Sequence, residues 1–254
     1  MTAALNPHLH NPHLNSEAFF FRGGRVGILL LHGFTATPYE VRPAAERLAR
    51  LGYSVAGPCL PGHATRPEDL NRVRWQDWVE TAGQSYRALQ GECEKVVVGG
   101  ESMGAVAALY LATQHPEAAA VLAFAPAIRL RLTPVRQFQL RLLAPLVMGV
   151  PKGGLDASDN WQGYRVNPLR GVLQLLAMQR ALVAQLHLIR QPLFVGQGRF
   201  DTTIHPQAGE MVLNGVSSTL REMHWYERSS HVVLLDGEID TVIADVENFL
   251  RRAL

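Results

Sequence analysis

The stretch VVVGGESMGAVAALYLATQH, residues 96–115, decides the fold of this 254-residue chain. Three valines form a strand-like run, and a segment rich in alanine and leucine, which are strong helix formers, follows Gly104. Ser102 lies between the two in the pattern G-x-S-x-G. Because Gly100 and Gly104 carry no side chains, a strand and a helix can close on each other there. The sequence therefore predicts a sharp strand-to-helix turn at the carboxyl end of a central strand, with Ser102 at its apex.

Strand-like and helical patterns alternate on both sides of this turn. Strands are predicted at 26–31, 53–57, 95–98, 119–124, 192–197 and 219–226, and helices at about 38–51, 75–90, 103–114, 206–214 and 238–252. Pro43 suggests that the regular part of the 38–51 helix begins late, with Pro43 in its first turn. Alternation of this kind predicts an α/β fold with a mostly parallel central sheet flanked by helices.

Residues 127–190 interrupt the alternation, because they contain helical patterns but no clear strand. We expect them to form a helical cap, or lid, over the strand ends, where ligands bind in open α/β sheets. A plain covering layer of helices is the alternative. The chain is thus divided into a flexible N-terminal tail (1–18), a core (19–126 and 191–254) and the cap (127–190).

Three histidines, His8, His10 and His13, lie close together in the tail. A metal site is the alternative interpretation, but no cysteine or carboxylate cluster completes a coordination set, so a mobile tail is favoured. Cys59 and Cys93 are far apart in sequence and fit no metal-ligand spacing. We therefore expect no metal.

Composition and charge exclude several classes of function. Lys and Arg number 24 and Asp and Glu 22, a net charge of +2 that is too balanced for nucleic acid or an anionic membrane as the main partner. No uncharged apolar stretch reaches the ~18 to 20 residues of a membrane span, so no stable membrane insertion is expected. The N-terminus lacks the pattern of a signal peptide, and two free thiols are typical of a reducing compartment. We predict a cytoplasmic monomer or homodimer.

A serine hydroxyl becomes a nucleophile only with a base beside it, and the base needs an acid to orient it. After a G-x-S-x-G turn these partners follow in the order Ser, Asp or Glu, His. His231, in WYERSSHVVLLD after the last predicted strand, is the favoured base, and His205 is the alternative. Asp201, in the turn after PLFVGQGRF, is the favoured acid. Poorer candidates are His115, His187, His224, Asp156, Asp159 and Asp236.

Acyl chemistry at a serine also needs two N–H donors for the negative oxygen that develops, the oxyanion hole. One donor is expected to be the amide of Met103, directly after the serine. The other is expected after the first predicted strand, where LLLHGF places the amide of Phe34. His32 and His63 are expected to brace loops.

Several motifs occur together in a characteristic order along residues 19–252. They are LLLHGFTATPYEVRPAAERLARLGY, LPGHATRPEDL, WQDWV, GESMG, the RFD turn and WYERSSHVVLLD. In these the chain resembles the bacterial carboxylesterases and monoacylglycerol lipases of the α/β-hydrolase superfamily. It departs from them at Gly62-His63-Ala64, where relatives usually read GHG, and at Ala105, where many have another glycine.

The resemblance implies an α/β-hydrolase fold and a serine hydrolase with Ser102 as nucleophile, Asp201 as acid and His231 as base. It also implies Phe34 and Met103 as oxyanion donors and an acyl pocket under the cap, with no metal or organic cofactor. The expected substrates are small carboxylic esters with short to medium acyl chains, monoacylglycerols among them.

Three alternatives share these motifs: a thioesterase, a carbon–carbon bond hydrolase with the same triad, and a non-catalytic protein that binds an acyl ligand. The cap also leaves one question open. Its apolar residues either line an acyl channel or form a core of the cap itself; they are Leu130, Leu132, Val135, Leu142, Leu146 and Met148.

Overall fold

A seven-stranded sheet forms the centre of the protein in a computed structural model that describes residues 5–152 and 160–254. The described strands are β1 (Leu9–His10), β2 (Phe19–Phe21), β3 (Val26–Leu31), β4 (Ser54–Gly57), β5 (Lys95–Glu101), β6 (Ala120–Phe124), β7 (Gly149–Pro151), β8 (Gly163–Tyr164), β9 (Val166–Pro168), β10 (Leu193–Gly198) and β11 (Arg221–Tyr226). The described α-helices are α1 (Arg42–Arg50), α2 (Pro67–Leu70), α3 (Trp75–Glu92), α4 (Met103–Gln114), α5 (Pro134–Leu143), α6 (Leu169–Val183), α7 (Ala208–Gly215) and α8 (Ile239–Ala253).

The sheet has the strand order β11-β10-β6-β5-β3-β4-β2. All neighbours are parallel except β2, which pairs antiparallel with β4 at the edge. β3, β5 and β6 are almost wholly buried, as expected of strands covered by helices on both faces. The strand that leads to Ser102 is thus the middle one of seven, and the predicted α/β architecture is confirmed.

The first predicted helix is interrupted. A 3₁₀ turn, Pro38–Glu40, precedes α1, and Pro43 lies in the first turn of α1, as expected. The side chain of Thr37 accepts a hydrogen bond from the amide of Tyr39 and so caps the 3₁₀ turn. This arrangement directs Glu40 into the interior of the protein, where its side chain is 3% exposed.

The segment predicted to form the cap, which keeps that name below, is described at residues 127–152 and 160–190 and contains short strands that the sequence analysis did not predict. β7 pairs antiparallel with β9, and β8 pairs antiparallel with β1. Strands of two or three residues are too short to produce a recognisable alternation, and their partners are distant in sequence. α5 and α6 pack together around a small core of their own, formed by Leu140, Ala144, Leu169 and Leu176.

Residues 5–15, within the segment predicted to be a flexible tail (1–18), contact the cap and the core. Leu9 is 2% exposed, and the side-chain amide of Asn6 donates a 2.8 Å hydrogen bond to the backbone oxygen of Thr65. The side chain of Gln162 donates to the backbone oxygens of Asn11 and Leu14. Burial of Leu9 and these long-range hydrogen bonds offset the entropy lost in ordering the segment.

No helix in residues 5–152 or 160–254 is both long enough and apolar enough to cross a membrane.

Candidate active site

Ser102 lies at the apex of the predicted turn between β5 and α4. Its backbone has φ 56° and ψ −112°, a conformation that is strained for a residue with a side chain. A Cβ atom on Gly104 would lie 2.0 Å from the backbone oxygen of Leu31, and one on Gly100 would lie 2.5 Å from the carbonyl carbon of Gly104. Glycine at both positions therefore allows β3, β5 and α4 to approach closely enough to hold Ser102 in this conformation.

Ser102, His231 and Asp201 form a continuous chain of hydrogen bonds. Nε2 of His231 is 2.8 Å from Oγ of Ser102, and Nδ1 is 2.7 Å from Oδ2 of Asp201. All three residues are at most 8% exposed. Three side chains that are up to 129 positions apart in sequence are thus brought into the order that general-base activation of a serine requires.

The turn after β10 keeps the Asp201 carboxyl ionised. Its Oδ1 accepts hydrogen bonds from the amides of Thr203 (2.8 Å) and Ile204 (3.1 Å). Burial by itself raises the pKa of Asp201, but the hydrogen bond and charge of His231, together with the two amides, outweigh burial and lower it. An ionised carboxylate fixes the tautomer of His231 with the proton on Nδ1 and the lone pair of Nε2 facing the serine.

The two predicted oxyanion donors belong to segments that meet at Ser102. Met103 is the first residue of α4, so its N–H has no partner within the helix. In the described residues, no acceptor is recorded for the N–H of Phe34. A Cβ atom on Gly33, the residue before Phe34, would lie 3.3 Å from Cβ of Ser102. The two segments are adjacent to the serine, while the role of each amide remains a prediction.

His32 and His63 lie behind the loop that contains Phe34. Nε2 of His32 accepts a 3.1 Å hydrogen bond from the amide of Leu60, and Nδ1 of His63 lies 3.1 Å from the Leu60 oxygen. Burial lowers the pKa of His32 to about 4, against a weaker opposing effect of the Gly33 oxygen, and lowers that of His63 well below its usual range. Two neutral imidazoles that bond to backbone agree with the bracing role expected of them.

The other candidates for base and acid have different contacts. The ring of His224 stacks on Phe194 at 4.7 Å, and Nδ1 of His205 accepts a hydrogen bond from the amide of Gln207. Asp236 accepts hydrogen bonds from the amide and hydroxyl of Ser230, and so steadies the turn before His231. Asp156 and Asp159 lie outside the described residues.

Residues 25–162 match a family of hydrolases that is described as serine aminopeptidase, S33. The chain belongs to this S33 hydrolase family. It is 32% identical over 244 residues to a thermostable monoacylglycerol lipase of Bacillus sp. strain H-257, an alignment of 94% of this chain and 96% of that protein. It is 29% identical to a carboxylesterase of Bacillus subtilis strain 168 over 93% of this chain and 96% of the other.

Solved structures agree with the sequence relatives. A structure reported for LipS and LipT, two metagenome-derived lipolytic enzymes, has a TM-score of 0.87 and 30% identity, covering 98% of this chain and 100% of that one. The α/β-hydrolase fold and the resemblance to bacterial carboxylesterases and monoacylglycerol lipases are therefore confirmed.

Two buried glutamates beside the serine of this S33 hydrolase were not identified from the sequence. Glu101 precedes Ser102 and is fully buried; its carboxyl accepts hydrogen bonds from the amides of Val233 and Leu234, just after His231. Burial, with the nearby Glu40 as a second cause, raises the pKa of Glu101 well above its usual range. The motif GESMG places Glu101 directly before the serine, but the G-x-S-x-G pattern allows any residue there and so gives no reason to expect a carboxyl group.

Glu40 is the second of these glutamates, and it lines the same cavity as Ser102. It accepts a hydrogen bond from the amide of Gly33 at 2.5 Å and another from the indole N–H of Trp161 at 3.0 Å. Burial raises its pKa, an effect that the two donors and the charges of His231 and Lys152 oppose. In the sequence Glu40 fits only a helix capping box with Thr37, which gives no indication of a place beside the serine.

A cavity of about 470 Å³ lies between the core and the cap and opens onto Ser102 and His231. Its apolar wall includes Phe34, Leu130, Leu132, Leu140, Leu169 and Leu175. Of the six cap residues for which the sequence left a channel and a core open, Leu130 and Leu132 line the cavity and also pack against the small core of the cap. In contrast, four residues are at least 40% exposed and do not line it: Val135, Leu142, Leu146 and Met148.

Proposed function

We propose that this protein is a serine hydrolase that cleaves small carboxylic esters, with short to medium acyl chains and monoacylglycerols among its substrates. The observation that carries the proposal is the hydrogen-bonded chain Asp201–His231–Ser102 at the base of a mostly apolar cavity. Two relatives that align over nearly the whole chain are a monoacylglycerol lipase and a carboxylesterase, which supports the same reaction class.

The reaction proceeds through an acyl-enzyme. Oγ of Ser102 attacks the ester carbonyl while Nε2 of His231 takes its proton, and the amides of Phe34 and Met103 bind the resulting oxyanion. His231 then protonates the departing alcohol, which leaves the acyl group on Ser102. Water, deprotonated by the same imidazole, attacks the acyl group and releases the acid. Asp201 stays ionised throughout and stabilises the imidazolium.

An ester is favoured over the substrate that the family description names. An aminopeptidase must recognise the ammonium group of a peptide N-terminus, which calls for an accessible carboxylate. Among the described residues that line the cavity, Glu40 is the only acidic one, and both of its oxygens already accept hydrogen bonds. The charged residues in the remaining wall are cations, Arg131, Arg136 and Lys152, and its aliphatic part suits an acyl chain.

The proposal includes a small-molecule partner and a cytoplasmic location. Cys59 and Cys93 are both free thiols, which a reducing compartment maintains.

The test is hydrolysis of chromogenic esters with acyl chains of two to sixteen carbons, and of monoacylglycerols, by wild type and by Ser102→Ala. We expect one preferred chain length and a loss of several orders of magnitude in the variant. Ser217→Ala, at an exposed serine, is the matched control and keeps wild-type activity. Absence of turnover by the wild type, or equal turnover by Ser102→Ala, refutes the proposal; turnover confined to thioesters or to carbon–carbon substrates selects one of the alternatives.

A further inference from the structure

Two hydrogen-bond donors converge on one buried carboxyl beside the nucleophile. Oε2 of Glu40 accepts from the amide of Gly33, and Oε1 accepts from the indole of Trp161. Gly33 belongs to the loop of Phe34, one of the two predicted oxyanion donors, and Trp161 belongs to the cap. Glu40 thus joins two parts of the protein that border the cavity on different sides.

The contact reaches the reacting centre through the backbone. A Cβ atom on Gly33 would lie 2.8 Å from Oε2 of Glu40 and 3.3 Å from Cβ of Ser102, so this glycine is held between the carboxyl and the serine. The Gly33 N–H and the Phe34 N–H belong to consecutive peptide groups, which are joined at the Cα atom of Gly33. A shift in the Gly33 amide therefore turns the Phe34 N–H relative to Ser102.

The surroundings of Trp161 fix the second donor. Its backbone oxygen accepts a 2.8 Å hydrogen bond from the side chain of Asn11, and Nζ of Lys152 lies 3.9 Å from the centre of its ring. Lys152 also donates to the hydroxyl of Thr35 at 2.6 Å, which places a positive charge beside the oxyanion loop. The indole is 1% exposed, so a loss of its hydrogen bond is not compensated by bulk water.

We propose that Glu40 is a positioning residue, whose carboxyl group holds the Gly33–Phe34 loop against Ser102 and ties it to Trp161 of the cap. The inference rests on the proposed ester hydrolysis and assigns a residue that orients the oxyanion hole. A glutamate meets both requirements, because each of its two oxygens accepts from one donor. A glutamine has one accepting oxygen, so its NH₂ group must face either the Gly33 amide or the indole N–H.

This conflict of donors gives a specific test with the variants Glu40→Gln, Trp161→Phe and the double variant. For Glu40→Gln we expect kcat to fall by about 10- to 100-fold, with KM changed less than about threefold, because a misplaced oxyanion donor acts mainly on the transition state. Trp161→Phe lowers kcat much less, since the carboxylate keeps its bond to Gly33. The double variant should recover kcat by about tenfold over Glu40→Gln, because the glutamine NH₂ then faces no donor.

Glu46→Gln, at an exposed glutamate on α1, is the matched control for the loss of a carboxylate, and thermal melting checks the folding of each variant. A double variant with the product of the two single losses overturns the proposal, because a mere packing role gives additive effects. So does an unchanged kcat in Glu40→Gln when the wild type is active.

A second measurement does not depend on turnover. Hydrogen exchange of the peptide that contains Gly33 should be faster in Glu40→Gln than in the wild type, and slower again in the double variant. Unchanged exchange contradicts the proposed contact. If the wild type hydrolyses no ester, the proposed function fails, and hydrogen exchange still decides whether Glu40 holds the loop.

Discussion

The guanidinium of Arg131 donates a 2.7 Å hydrogen bond to the backbone oxygen of Asp201, and a second one, also 2.7 Å, to that of Ile204. An isolated bridge between Leu130 and Ile204 runs beside them. The first segment of the cap is therefore fastened to the turn that carries the proposed catalytic acid. This contact between the cap and the Asp201 turn also forms part of the cavity wall, because Arg131 and Thr203 line the cavity.

Arg131→Lys should loosen the Asp201 turn. A lysine presents one ammonium where arginine presents a planar fork, so it cannot serve both carbonyl oxygens in the same geometry. We expect kcat/KM to fall by up to roughly tenfold, which is the effect when all of the ~1.5 kcal/mol of the lost charge-assisted hydrogen bond is lost from the transition state. Steady-state kinetics on the preferred ester measure this decrease in kcat/KM. The control is Arg129→Lys, because Arg129 is an exposed arginine two positions earlier. Equal kinetics for both variants would show that the fastening is irrelevant to turnover.

Asp201→Asn should nearly abolish activity while the protein stays folded. The amide can present its NH₂ to Nδ1 of His231 and so select the tautomer whose Nε2 carries the proton and cannot accept from Ser102. The comparable change in serine proteases lowers kcat by about 10⁴-fold. Burst and steady-state kinetics with thermal melting separate chemistry from folding, and Asp240→Asn, at an exposed aspartate of α8, is the control. A decrease of less than about tenfold would remove Asp201 from the proposed triad.

The parts of the fold that could be predicted from the sequence have local signals. β3, β5 and β6 are apolar runs of strand length bounded by helical patterns, and the glycines around Ser102 mark a turn that few other residues permit. The chain order of serine, acid and base then narrowed the partners of Ser102 to Asp201 and His231. Distances confirm that these three side chains meet, and their catalytic roles remain predictions.

The parts that could not be predicted depend on contacts between distant positions. The hydrogen bond from Trp161 to Glu40 spans 121 positions, and β1, at the N-terminal end of the described chain, pairs with β8 within the cap. A single carboxyl has no periodicity, and its burial becomes visible only when both donors are in place. The expectation of a flexible tail at residues 1–18 rests on the lack of a metal coordination set there, and the burial of Leu9 depends on long-range contacts that leave no pattern in the sequence.

The buried His32 should make the fold sensitive to mild acid. Its pKa is lowered from 6.5 to about 4, so the unfolded chain binds a proton in a pH range where the folded chain does not. The stabilisation is present in full above pH 6.5 and is lost as the pH falls toward 4, at a cost of up to about 3 kcal/mol. His63 acts in the same direction.

Urea unfolding at several pH values between 8 and 4 measures this dependence. In His32→Gln the side-chain oxygen can still accept from the amide of Leu60, but nothing titrates at that position, so the fall in unfolding free energy below pH 6.5 should be shallower. The exposed His13, replaced by glutamine, is the matched control. If His32→Gln and wild type fall in parallel, His32 does not contribute to the acid sensitivity.

Gly104→Ala should destabilise the protein and displace Ser102. The added methyl would lie 2.0 Å from the backbone oxygen of Leu31 and 2.7 Å from that of His32, and a strand backbone in the middle of a sheet cannot move aside as a side chain can. We expect the unfolding free energy to fall by about 1 to 3 kcal/mol, the usual cost of overpacking, and the activity to fall as well.

Gly91→Ala in α3 is the matched control, since nothing lies within 4 Å of its added methyl and alanine favours a helix by about 0.5 to 1 kcal/mol. Chemical denaturation should move the two variants in opposite directions, and a stable, active Gly104→Ala would show that Ser102 does not need this close approach.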